Sequence, residues 1–149
     1  MFQGAVQLNL DSKGRLAIPA KHRDALFAQS SGKLVLTADH EDACLLLYPE
    51  PTWQPIRDKI NGMPSLNSRV RQLQRRLVGY AEAIEMDAAG RILISPVLRT
   101  YANLDKQVVL VGQGNKFELW DEASWKKLSE QSIKFGDDAL PAGMEDFSL

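Results

Sequence analysis

The sequence has little of what most enzymes, secreted proteins and membrane proteins depend on. It holds one cysteine, Cys44, which excludes an internal disulfide and fits a reducing cytoplasm. No apolar run approaches the ~20 residues that cross a bilayer as a helix. The opening Met1-Phe2-Gln3-Gly4-Ala5 lacks the charged and apolar regions of a secretory leader. Only two histidines are present, His22 and His40, far apart, and a lone histidine is structural more often than catalytic. With a single cysteine beside them there is no paired spacing for zinc, so neither metal nor cofactor is expected. Gly112-x-Gly114 lacks the third glycine of a dinucleotide loop and falls between two strand-like runs, where a hairpin turn explains it better. Nothing here assembles an enzyme.

Net charge is also scarce, at −1, but it is unevenly spread. Residues 1–80 hold 11 Lys and Arg against 7 Asp and Glu, whereas residues 81–149 hold 7 against 12. A basic half beside an acidic half suggests a face for a polyanion, contact between unlike halves, or an uneven solvated surface.

What the chain does have is a stretch that occurs twice. Leu10-Asp11-Ser12-Lys13-Gly14-Arg15-Leu16-Ala17-Ile18-Pro19 is matched by Met86-Asp87-Ala88-Ala89-Gly90-Arg91-Ile92-Leu93-Ile94-Ser95. A repeat at a fixed offset has to be recognised before any element is placed. Val6, Leu8 and Leu10 alternate with polar residues as in a half-buried strand, and Leu16 and Ile18 resume the alternation. Between them Asp11 and Gly14 suit positions i and i+3 of a type I turn: the carboxylate accepts backbone N–H groups and glycine tolerates the exit. The local reading is a hairpin with Arg15 at the mouth of its second strand. Asp11, Asp87 and Gly90 are expected to support the turns. Each arginine either pairs with its own aspartate, a weak bond at a surface, or reaches past it to a ligand.

The rest of each copy follows one order. Pro19 precedes a helix over Ala20–Ala28, with Leu26 and Phe27 expected on its buried side and Ser30-Ser31-Gly32 ending it. Leu34–Leu36 and Cys44–Tyr48 read as strands, and a helix with Trp53, Ile56 and Ile60 follows. In the second half Pro96 opens a helical segment, Val108–Val111 and Lys116–Trp120 read as strands around a turn at Gly112–Asn115, and Trp125 and Leu128 answer Trp53 and Ile56. Between the halves, Leu66, Val70, Leu73 and Leu77 form a helical stripe crowded by Arg69, Arg71, Arg75 and Arg76. Those arginines make either a solvated face or a surface for phosphates or an acidic neighbour. The boundaries are thus a first unit at 5–52, a helical connector at 53–80, a second unit at 81–124 and an acidic tail at 133–149.

These motifs together resemble the MraZ family, bacterial regulators built from two SpoVT-AbrB-type domains. The matching residues are Met1-Phe2-x-Gly4, Asn9 to Arg15, Tyr48-Pro49, Trp53, Arg75-Arg76, Asp87-x-x-Gly90-Arg91 and Gly112 to Trp120. Gln3 stands where a basic residue is expected. The resemblance implies an α+β, β-rich fold of duplicated AbrB-like swapped-hairpin half-barrels with short helices, assembling into a ring. It implies a cytoplasmic, nucleoid-associated repressor of its own operon and of cell-division and cell-wall genes. Its partners would be further copies of itself and double-stranded DNA with repeated upstream sites, with no membrane. The residues expected at DNA are Arg15, Lys13 and Gly14, then Arg91, with Lys21 and Arg23 beside the first turn. The competing reading is a ring-forming interaction module whose Asp-Arg pairs only hold turns.

Overall fold

In the computed structural model, residues 1–131 are described together with Gly143 and Met144; the acidic tail expected at 133–149 otherwise lies outside the described residues. The chain runs β1 (Phe2–Asn9), β2 (Arg15–Ala17), α1 (Ala20–Ser30), β3 (Lys33–Ala38), β4 (Leu45–Pro49), α2 (Glu50–Asn61) and α3 (Ser68–Leu73). After α3 comes a π-helical turn (Gln74–Val78), then β5 (Glu82–Glu85), β6 (Arg91–Leu93), α4 (Pro96–Tyr101), β7 (Gln107–Gly114), β8 (Phe117–Asp121) and α5 (Glu122–Ser129). This is the β-rich α+β architecture with short helices that the pattern predicts.

The topology corrects the local hairpin. The strands on either side of each Asp-x-x-Gly-Arg turn do not pair with each other. β1 pairs with β7, β2 with β6, β3 with β5, and β4 with β8, all antiparallel and all between the two halves. The large sheet has the order β1-β7-β8-β4-β3-β5 and β2-β6 forms a separate ribbon. Exchanging each strand for its repeat partner leaves both orders unchanged, so the halves are related by a twofold pseudo-axis. The registers agree: Leu16 faces Ile92 at the centre of the ribbon, and Leu46 faces Glu118 at the centre of β4-β8. The two repeats interleave within one chain.

Alternation assigns the two faces of the sheet. Leu34, Leu36, Leu45, Leu47, Leu110 and Leu119 pack inward with Leu16, Ile18, Ile92 and Ile94 of the ribbon and with Leu26 of α1 and Leu98 of α4. Val35, Leu46 and Tyr48 point the other way, where Trp53 and Ile60 of α2 and Leu77 of the π turn cover them. α1 buries His22, Leu26 and Ser30 at a spacing of four, so Phe27, one step round the helix, is 37% exposed instead of buried. The helix stops where Ser31 and Gly32 take positive φ angles of 56° and 79°. Gly112 and Gln113 belong to β7, so the turn falls one step later, where Gln113 N donates to Lys116 O at 2.9 Å. A side chain on Gly112 would run into the Gln3 backbone of β1. The connector departs from its stripe too: Leu66 lies ahead of α3 and is fully open, and Leu77 is the one buried member.

His22 packs edge-on against the rings of Phe2 and Phe117, at 5.8 and 4.9 Å between centroids, and those two rings touch each other at 4.4 Å. Burial, helped by the charge of Lys21, pushes its pKa below the usual 6.5. The folded protein therefore binds this proton less readily than the unfolded chain. The resulting stability is fully present above pH 6.5 and is lost as the pH falls below it. Denaturant melts at pH 8 and pH 5.5 should show a drop that is smaller in His22→Leu than in the parent.

Candidate nucleic-acid interface

The two Asp-x-x-Gly-Arg turns are built alike. In the first, Gly14 N donates to Asp11 O at 3.0 Å and Asp11 N to Arg15 O at 3.0 Å. The Asp11 carboxylate accepts from Lys13 N and Arg15 N, both at 2.9 Å, and from Arg15 Nε at 2.7 Å. In the second, Asp87 accepts from Ala89 N, Arg91 N and Arg91 Nε at 3.0, 2.8 and 3.0 Å. Gly14 and Gly90 have φ of 81° and 79°, a region side chains avoid. The backbone N–H of Arg15, then its side chain, hold the Asp11 carboxyl down to about 2. Arg91 lowers Asp87 in the same way, its backbone N–H again acting most strongly. Each aspartate thus accepts from the backbone of its own turn and from Nε of the arginine that follows it.

Each turn is also locked to the opposite repeat. Ile18 N donates to Gly90 O at 2.8 Å and Ile94 N to Gly14 O at 2.9 Å. Arg23 donates through Nε to Ile18 O at 2.6 Å and lies against Gly90, where any Cβ would collide with its side chain. It is thereby drawn behind the second turn, away from the place beside the first turn that sequence order suggests. Its counterpart, Arg99, packs on Gly14, with Cζ 2.9 Å from where a Cβ would stand. Sequence reading missed Arg99. The signal was available, since Arg23 and Arg99 are 76 residues apart, the offset of Asp11 and Asp87. Arg99 Nε is buried without a hydrogen bond to any described residue, and its side chain lines a 470 Å³ cavity with Asp11, Ser12 and Lys106.

The ribbon brings Arg15 and Arg91 together. Leu16 and Ile92 point to the core, so by alternation Arg15, Ala17, Arg91 and Leu93 share the outer face. Arg15 is opposite Leu93 and diagonal to Arg91, a separation of about 7–8 Å on a sheet surface. Both guanidinium side chains are partly open, at 36% and 44%. Because each aspartate engages only Nε, the two terminal nitrogens of each guanidinium are left to project. Lys13 sits exposed in the first turn, where the second has Ala89. Lys21 stands apart at the start of α1, its Nζ over Gly4 of β1. Among the described residues no group of His, Cys, Asp and Glu could hold a metal ion, and no helix is long and apolar enough to cross a membrane.

The chain matches the family described as "MraZ protein, putative antitoxin-like" twice, over residues 1–76 and 77–147. The chain belongs to the MraZ family. It is 54% identical over 149 residues to the Transcriptional regulator MraZ of Nitrosomonas europaea, covering all of both chains. It is 56% identical, again over all of both chains, to the proteins of the same name from Methylobacillus flagellatus and Dechloromonas aromatica. The two matches divide the chain inside the π turn, just ahead of β5, where the strand order begins to repeat.

Since the carboxylates orient the arginines and close the turns, Asp11→Ala and Asp87→Ala should each lower the melting temperature at pH 7. Asp11 contributes fully above pH 3.8 and progressively less as the pH falls toward about 2. The gap between parent and Asp11→Ala in thermal melts should therefore close over that interval.

Proposed function

We propose that the protein is a DNA-binding transcriptional regulator that reads duplex DNA with the outer face of the β2-β6 ribbon. The observation that carries this reading is the pair of oriented arginines on one exposed face. A two-stranded ribbon fits the major groove. Arginine is the residue best matched to phosphate or to the O6 and N7 edge of guanine, through two parallel N–H bonds. Leu93 and Ala17 supply apolar contacts between the two guanidiniums. The names of its relatives support regulation of transcription.

On this reading Arg15, Lys13 and Gly14 form the stronger half of the interface and Arg91 the weaker, because the second turn lacks the lysine. Lys21 serves as an outlying phosphate contact, and Arg23 as a brace for the Gly90 turn. The repeats 5–52 and 81–124, with the connector 53–80, act as one reading unit. Copies of the chain assemble head to tail through unlike surfaces, a contact that closes into a ring when its rotation permits. Several units engage repeated sites upstream of the protein's own gene, multiplying affinity without a stronger single contact. On the same reading, for which the family resemblance is the support, those targets are cell-division and cell-wall genes, bound on the nucleoid in the cytoplasm and repressed.

Fluorescence anisotropy on DNA from upstream of the protein's gene tests this. Affinity should fall steeply with salt, since neutralising phosphates releases counterions. Arg15→Ala should abolish binding with fold and oligomer intact: one such contact is worth about 1–3 kcal/mol, lost at every engaged subunit. Lys13→Ala should flatten the salt dependence by about one phosphate. Unchanged binding by Arg15→Ala, or loss of the oligomer first, would favour the interaction module whose Asp-Arg pairs only hold turns.

A further inference from the structure

The connector carries a second concentration of arginines that the ribbon does not use. Asn67 caps α3, accepting from Arg69 N at 2.9 Å and Val70 N at 3.4 Å. The helix then widens into the π turn, in which Gly79 N reaches back five residues to Gln74 O at 2.9 Å. A π turn costs regular hydrogen bonding and is concentrated at functional positions. Here two side-chain hydrogen bonds and one glycine accommodate it. The hydroxyl of Thr37, fully buried in β3, donates to Leu77 O at 2.6 Å. Gln74 Nε2 donates to Ile60 O at 3.2 Å. Gly79 admits the tight closure, since a Cβ there would strike the Arg75 carbonyl. The widened turn exposes Arg75 and Arg76 side by side.

Opposite them stands the β3-β4 loop with His40, and between the two walls lies a groove of 700 Å³. Arg69, Arg75, Arg76, His40, Tyr80 and Leu73 line it. The groove has no carboxylate in its described lining, and none of its arginines is in an ion pair with a described residue. The nearby acids Asp39 and Glu41 face the ring nitrogens of His40, at 3.5 and 3.4 Å. Tyr80 packs against Tyr101 at 5.1 Å, and the Arg76 guanidinium stands 5.8 Å from the Tyr101 ring, which fixes this corner.

Leu77 of the π turn joins the cluster of Val35 and Leu46, whereas the ribbon packs on Leu34, Leu36, Leu45 and Leu47. The π turn and the ribbon are therefore on opposite faces of the sheet. A groove of this volume suits a small ligand. Three guanidiniums without carboxylates call for several phosphate oxygens. An aromatic ring and an apolar side chain beside them call for a flat, weakly polar group.

We propose that this groove is an effector site for a nucleotide carrying two or more phosphates, with Arg69, Arg75 and Arg76 on the phosphates and Tyr80 and Leu73 against the base. Isothermal titration of the full-length protein with ATP tests it, with inorganic tripolyphosphate and adenosine as separate arms. ATP should bind with a micromolar Kd, and each of the other two at least tenfold more weakly. The double variant Arg69→Gln/Arg75→Gln should bind ATP at least tenfold more weakly at an unchanged melting temperature. Arg15→Ala, on the far face, should bind ATP as the parent does. The proposal is overturned if ATP fails to bind at millimolar concentration or if the double variant binds it normally. It is also overturned if Arg15→Ala loses ATP binding, or if tripolyphosphate binds as tightly as ATP. Tighter groove binding by an acidic peptide of residues 136–149, lost in the double variant, would overturn it in favour of the chain's own tail.

Discussion

The structure depends on the backbone exchange between the two glycine turns. Gly14 O accepts from Ile94 N, and Gly90 O accepts from Ile18 N. These bonds flank the short β2-β6 ladder and hold each turn against the strand that follows the other. Neither half can complete its own core without this exchange, because Leu16, Ile18, Ile92 and Ile94 all pack into one shared cluster. A half of this size on its own would bury a thin core. Interleaving lets two thin cores become one.

The same exchange explains why the turns tolerate no side chain at glycine. Arg23 and Arg99 lie across them from the opposite repeat, filling the space that a Cβ would need. The arginine behind each turn braces it, while the arginine after each turn is aimed outward by its aspartate. Positive charge near the turns therefore has two uses. Net charge does not separate them, but hydrogen-bond partners do: Arg23 gives Nε to a backbone carbonyl, whereas Arg15 and Arg91 give theirs to carboxylates that are themselves half exposed.

Much of this was legible in the residues. The turn chemistry of Asp11 and Gly14 is local, and local hydrogen bonding follows from residue type and spacing alone. The helices after Pro19 and Pro49 and the strands rich in Leu and Val were readable for the same reason. Strand pairing was not, because the alternation in Val6 to Leu10 records which face is buried and not which strand lies alongside; the expectation of swapped hairpins came from the family resemblance and not from the alternation. Phe27 was misplaced because Leu26 and Phe27 are adjacent and a helix can bury only one of two such neighbours fully. The π turn left no periodic signal, since it depends on Thr37, 40 residues from Leu77. For the site, Arg15 and Arg91 could be located in sequence, but their placement on one face, and the withdrawal of Arg23 from it, required the ladder between repeats.

The pseudo-axis through Leu16 and Ile92 is imperfect, and the imperfection has a direction. An object with true twofold symmetry, laid along a double helix, is indifferent to being turned end for end. This one carries Lys13 and Lys21 in one half and Ala89 and Val97 at the same offset in the other. Reversing it exchanges two cations for two methyl-bearing side chains. The ribbon thus has a head and a tail: turning it end for end does not restore the same charged surface.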